Sequence, residues 1–150
     1  MTWQSMDWEA LMPVRQKWGL GFVLLWFVGG GVFHFVPVGH AFFTSIVPPW
    51  LPAWLPGPGA LVYLSGIMEL VAAAALLREK TRRVAGYALM AITVGVTPAN
   101  VHMWMHPELY AYAPQWMYAF RLLLQIFLLW LIWWSTRPAS AWRPRSAASC

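Results

Sequence analysis

The stretch ALVYLSGIMELVAAAALLREKTRR, residues 60–83, decides the fold of this chain. Its apolar part, 60–77, holds a single charge, Glu69, and it runs straight into Arg78, Lys80, Arg82 and Arg83. An apolar run of about 20 residues has the length of a transmembrane helix. Lys and Arg flanking such a run stay on the cytoplasmic side. Working outward, the spacing predicts spans over 18–36, 59–77, 84–103 and 116–135. Every Lys and Arg except Arg121 falls in the N-terminal segment (Arg15, Lys17), the middle connection, or the C-terminal tail (Arg137, Arg143, Arg145). The connections 37–58 and 104–115 carry none. Four spans put all three basic regions on one side. The chain reads as an all-α membrane protein, a four-transmembrane-helix bundle with cytoplasmic N and C termini and a proline-rich outer loop between helices one and two.

Composition agrees. Of 150 residues, 60% are hydrophobic and 10% are charged, against about 25% charged in a soluble domain. Four spans leave room for one membrane domain, 1–136, and the Ser/Ala/Pro/Arg-rich tail 137–150 is expected to be disordered. The net charge of +5 flanks the spans, so it sets topology and meets anionic headgroups rather than nucleic acid. A single cysteine, Cys150, excludes an internal disulfide, a CxxC pair and a Cys-ligated cluster. No cleaved signal peptide is expected. The opening residues carry Trp3, Trp8, Leu11, Met12 and Trp18 among polar ones. They read as a short interfacial helix or as an irregular tail held by tryptophans.

Three features interrupt the spans and their connections. Gly29, Gly30 and Gly31 weaken helix propensity but let a neighbouring helix approach closely. Segment 37–58 holds six of the twelve prolines, with Phe42, Phe43, Trp50 and Trp54. It predicts a loop at the outer interface, either a plain anchor or a lid over the bundle mouth. Pro98 interrupts span three and frees a carbonyl near Val94.

The polar residues inside the spans fall in helical stripes. Ser65 and Glu69 are four apart on span two. Thr93, Thr97 and Asn100 follow on span three, and Tyr118, Arg121 and Gln125 on span four. His34 lies near the outer end of span one. Alternating spans bring these residues into the outer half of the membrane or near its middle, in one outward-opening polar pocket. A lone charge at a span centre costs about 2.5–3.5 kcal/mol, so Glu69 and Arg121 are the expected ion pair. They are also the candidate catalytic residues, with His34, Asn100, Gln125, Ser65 and Tyr118 as candidate ligand-binding residues. The plainer reading is a pair that pins helix two to helix four. His102 and His106, in HMWMH (102–106), are weak candidates for metal, since imidazole and thioether suit copper. Pro107, however, biases His106 away from helix.

The pieces GVFHF (31–35), IVPPWLP (46–52), VYLSGIMEL (62–70), TPANVHM (97–103) and RLLLQ (121–125) resemble the DoxX-like family of small four-span membrane proteins. The likeness runs over roughly 30–125. It implies a four-helix bundle in the bacterial cytoplasmic membrane, with Glu69, Asn100, Arg121, Gln125 and His34 carried over. Within that family some members look like quinone-linked redox subunits. A proline expected between Arg121 and Gln125 is absent, which predicts a straighter fourth helix.

Three functions follow as expectations. One is a quinone-linked redox subunit, with Glu69 moving protons and a partner protein supplying electrons. Another is a module that binds or transports a small apolar molecule. The last is a structural or assembly factor without catalysis. The cofactor is left open, with quinone a candidate ahead of haem or copper. The expected partners are the lipid bilayer, a redox protein and a second copy in a homodimer.

Overall fold

The computed structural model describes residues 12–110 and 113–137. These residues build six α-helices: α1 Val14–Phe33, α2 Pro37–Ser45, α3 Pro58–Leu76, α4 Glu79–Gly95, α5 Thr97–Met105 and α6 Gln115–Ser135. A 3₁₀ turn, Pro107–Leu109, precedes α6. Among the described residues there are no strands. The expected interfacial opening up to residue 11 and the expected disordered tail from 138 lie outside them.

Prolines set the helix boundaries. Pro37, Pro58 and Pro98 each sit in the first turn of a helix, where a missing N–H costs nothing and φ is already helical. Pro13 and Pro114 stand just before α1 and α6. His106, held before Pro107, leaves helical geometry at φ −126 and ψ 57.

Two expectations are refined. Segment 37–58 is not loop throughout, because its first nine residues form α2. Pro37 starts that helix instead of breaking one. Val36 before it is extended, as a residue preceding proline prefers, and α2 turns 91° from α1. Span three is two helices, α4 and α5, which meet at Val96. Span four is the single helix α6.

Three helical stretches are long and apolar enough to cross a membrane: α3, α4 with α5, and α6. The bent pair α1 and α2 meets that measure together, which makes up to four. The polar start of α1, with Arg15, Gln16 and Lys17, lowers its mean hydropathy. Large apolar side chains cover the outside of the bundle, among them Leu25, Val71, Leu123 and Ile126, each more than half exposed. A contiguous surface of this kind suits lipid rather than water.

The long helices form a closed ring. α1 packs on α3 and on α6, and α4 packs on α3 and on α6. α3 and α6 therefore stand on opposite corners. At one end the core is made of Val23, Ala72, Ala73, Leu76, Leu89, Leu131 and Ile132. The alanines let α3 come close to its neighbours. At the other end Ile46, Met103, Tyr110 and Tyr118 cluster with Phe42 and Phe43.

The basic segments gather at the alanine-rich end. Gln16 donates to the carbonyls of Trp134, Ser135 and Arg137 at 3.2, 3.3 and 2.8 Å. It satisfies acceptors that the last turn of a helix leaves open. Arg82 does the same for α3, donating to Leu76 O at 3.1 Å and to Met12 Sδ at 3.1 Å.

Candidate functional site

Between the two apolar clusters lies a cavity of about 340 Å³. Phe27, Ile92 and Leu128 belong both to its wall and to the alanine-rich core. Trp26 and Leu124 extend the apolar lining. Its polar wall is Glu69, Thr93, Asn100, Arg121 and Gln125. Four of the seven residues expected to form the site thus face one space.

A directional hydrogen-bond chain runs along the α5–α6 side. Arg121 Nη2 donates to Asn100 Oδ1 at 3.1 Å, and Asn100 Nδ2 donates to Gln125 Oε1 at 3.1 Å. Gln125 Nε2 then donates to Thr97 Oγ1 at 2.7 Å and to the Thr93 carbonyl. The Thr97 hydroxyl donates to Thr93 O as well, at 3.1 Å. The break between α4 and α5 explains this chain. It leaves backbone acceptors to be met by side chains, and Gln125 reaches in from α6. The acceptor so met is Thr93 O, one residue before the expected Val94.

Arg121 and Glu69 are not an ion pair within 4.0 Å among the described residues. They stand on diagonal helices of the ring, with the cavity between them. The charged contact of Glu69 is with His34, Oε1 to Nε2 at 3.8 Å. The Glu69 side chain is 12% exposed. Gly30 makes room for it, since a Cβ there would meet Glu69 Oε2 at 3.2 Å. Arg121 has the Phe42 ring of α2 over it, 5.8 Å from the guanidinium carbon.

Three expected ligand-binding residues are not on the cavity wall. His34 sits behind Glu69. Ser65, one turn from Glu69, spends its hydroxyl on Val62 O at 2.9 Å and contacts His34 Nδ1 at 3.1 Å. Tyr118, one turn before Arg121, is turned to the segment before α6. Its hydroxyl donates to Tyr110 O and accepts from Ala113 N at 3.2 Å, which anchors the turn before α6.

The His102 and His106 rings lie 4.7 Å apart and are tilted by 43°, but each ring has another partner. His102 Nδ1 meets the Tyr110 hydroxyl at 3.0 Å and His106 Nδ1 meets Glu108 Oε1 at 3.2 Å. Among the described residues no three His, Cys, Asp or Glu side chains gather to hold a metal. A hydrogen bond with its own backbone, reinforced by His106, holds the Glu108 carboxyl below the usual carboxylate range.

The apolar wall and the His34–Glu69 contact were not foreseen from sequence. Trp26 and Phe27 are two of many large apolar residues in α1. Only the rotation of that helix tells which of them face inward.

A family model described as a domain of unknown function, DUF8561, matches residues 23–137, and the chain belongs to that family. Every residue of the cavity wall falls within the match. No curated protein and no solved structure matches the chain.

Proposed function

We propose that this DUF8561 member is a four-span protein of the bacterial cytoplasmic membrane, similar in plan to the DoxX-like proteins, and that its cavity binds a small lipid-soluble molecule of the quinone class. Both ends face the cytoplasm, and the α2 side of the cavity faces outward. The gathering of Met12, Arg82, Gln16 and Arg137 at one end of the bundle supports that orientation, because flanking basic residues are retained inside.

The observation that carries the ligand reading is the unpaired opposition of Glu69 and Arg121 across the cavity. A pair kept only to hold two helices together would be in contact. Here the two groups flank a cavity whose other walls are largely apolar, and among the described residues the guanidinium makes one hydrogen bond, to Asn100. Its remaining N–H donors suit a carbonyl oxygen. Glu69 faces the opposite end of such a molecule as a proton-exchanging group. Trp26, Phe27, Leu124 and Leu128 suit a flat apolar body, as ligand pockets usually combine apolar walls with few polar groups. Among the described residues no side-chain cluster suits an electron-carrying metal centre, so the reading includes a partner protein that delivers or accepts electrons.

Native mass spectrometry of the protein, extracted gently with its own lipids, tests this. A stoichiometric quinone adduct that Arg121→Gln loses is the expected result. Ordinary phospholipids alone in both proteins would overturn the quinone reading, and a haem or copper adduct would redirect it to the histidines.

A further inference from the structure

His34 closes α1, and three neighbours fix its imidazole. Nδ1 lies 2.8 Å from Val62 O. A carbonyl oxygen only accepts, so Nδ1 carries a hydrogen. The Ser65 hydroxyl gives its own hydrogen to the same carbonyl at 2.9 Å and turns a lone pair toward Nδ1 at 3.1 Å. Both contacts require the same tautomer. The Phe43 ring of α2 stacks on the imidazole at 4.1 Å and sets its plane. Nε2 is thereby directed at Glu69 Oε1, 3.8 Å away, with both side chains largely buried.

With Nδ1 protonated, two arrangements are open. Either Nε2 and a carboxylate face each other with lone pairs only, or one of the two groups carries a proton. The first buries an uncompensated charge against a lone pair. The second is a neutral acid–imidazole contact or an ion pair, each with net charge zero. We infer that His34 and Glu69 together hold one proton, and that this is the proton the cavity exchanges with the molecule it binds.

The pair stands on its own geometry, whereas the exchange rests on the ligand reading above. In the exchange the proton leaves the Glu69 carboxyl for a basic oxygen of the ligand. The pair passes from neutral to a single negative charge, and a proton from water restores it. Arg121, on α6 across the cavity, supplies the opposing charge. On the other packed elements, His40 of α2 and Tyr63 of α3 stack on each other at 4.0 Å. No charged side chain on α4 or α5 lines the cavity.

The test uses the full chain in lipid nanodiscs with no ligand added. Infrared pH-difference spectra read the Glu69 carboxyl, and nitrogen resonances of labelled histidine read His34. Coupled groups move each other's midpoints. Glu69→Gln should therefore move the His34 midpoint, and His34→Asn the Glu69 midpoint, each by about one pH unit or more. Asparagine keeps a donor for Val62 O. Unmoved midpoints in both variants overturn the pair. Where the variants do not fold, the wild type decides. His34 and Glu69 should titrate with shared midpoints while Nδ1 stays protonated, and independent midpoints or a bare Nδ1 overturn the pair. Decylubiquinone added to the same sample should shift the shared midpoints. Midpoints that are shared but unmoved by it would overturn the exchange and leave the pair standing.

Discussion

Asn100 Nδ2 donates to Gln125 Oε1 at 3.1 Å, and this bond ties the short helix α5 to α6 just beyond the break at Val96. A helix interrupted inside a membrane leaves backbone groups that lipid cannot satisfy. Gln125 answers both needs, accepting from Asn100 and donating to Thr93 O and Thr97 Oγ1. Gln125→Leu should cost about 1–2 kcal/mol of stability, read as a lower midpoint in unfolding by dodecyl sulfate. A change smaller than the measurement error would mean that the break is held by packing alone.

The glycine triplet gives a sharp contrast between neighbours. A Cβ at Gly31 would stand 2.8 Å from Leu70 Cγ and 3.3 Å from the Gly66 carbonyl, whereas one at Gly29 meets nothing within 4 Å. Gly31→Ala should force α1 away from α3 and lower stability by about 1–3 kcal/mol. Gly29→Ala should be neutral or stabilising by up to about 1 kcal/mol, through helix propensity. Parallel thermal unfolding of the two variants reads the difference, and equal effects would contradict the packing described.

Double-mutant cycles separate the two partners considered for Glu69. His34→Asn with Glu69→Gln should show a coupling of about 0.5–3 kcal/mol, as groups in contact do. Glu69→Gln with Arg121→Gln should add to within about 0.5 kcal/mol in the ligand-free protein. The same unfolding assay measures both cycles. Strong coupling between Glu69 and Arg121 would mean that the two close on each other in the membrane.

Ligand affinity should depend on Arg121 more than on the residues behind the cavity. Arg121→Gln removes a charged donor and should weaken decylubiquinone binding by about tenfold or more, since a hydrogen bond to a charged group is worth about 1.5–3 kcal/mol. Tyr118→Phe lies off the cavity wall and should leave that affinity within twofold of wild type, by about the scale of a neutral change. Equilibrium titration of Trp26 fluorescence would follow both, with Trp26→Phe as the control for its signal.

The lone cysteine allows a direct test of orientation. With both ends inside, a membrane-impermeant maleimide added to intact cells should leave Cys150 unlabelled. Once Cys150 is replaced by serine, Ser45→Cys at the exposed end of α2 should be labelled from outside. The reverse pattern would invert the topology.

The sequence by itself determined the helical stretches, because apolar length and the position of basic residues are local properties. It also located most of their ends, since a proline restricts its own φ and the residue before it. Segment 37–58 was read less well. Proline as a breaker and proline as the first residue of a helix look alike until the chain's path is known. The cavity's polar side was legible as stripes on α4, α5 and α6, whose residues meet there apart from Tyr118. Which charge faces which was not legible. That depends on the order of helices around the ring, which sets α3 beside α1 and diagonal to α6. Glu69 therefore reaches His34, through the gap that Gly30 leaves, and keeps the width of a cavity from Arg121. Partner choice between helices is a matter of relative rotation and neighbour order. These are fixed by the packing of Gly31 on Leu70 and of α2 over the bundle end, and no spacing within one helix encodes them.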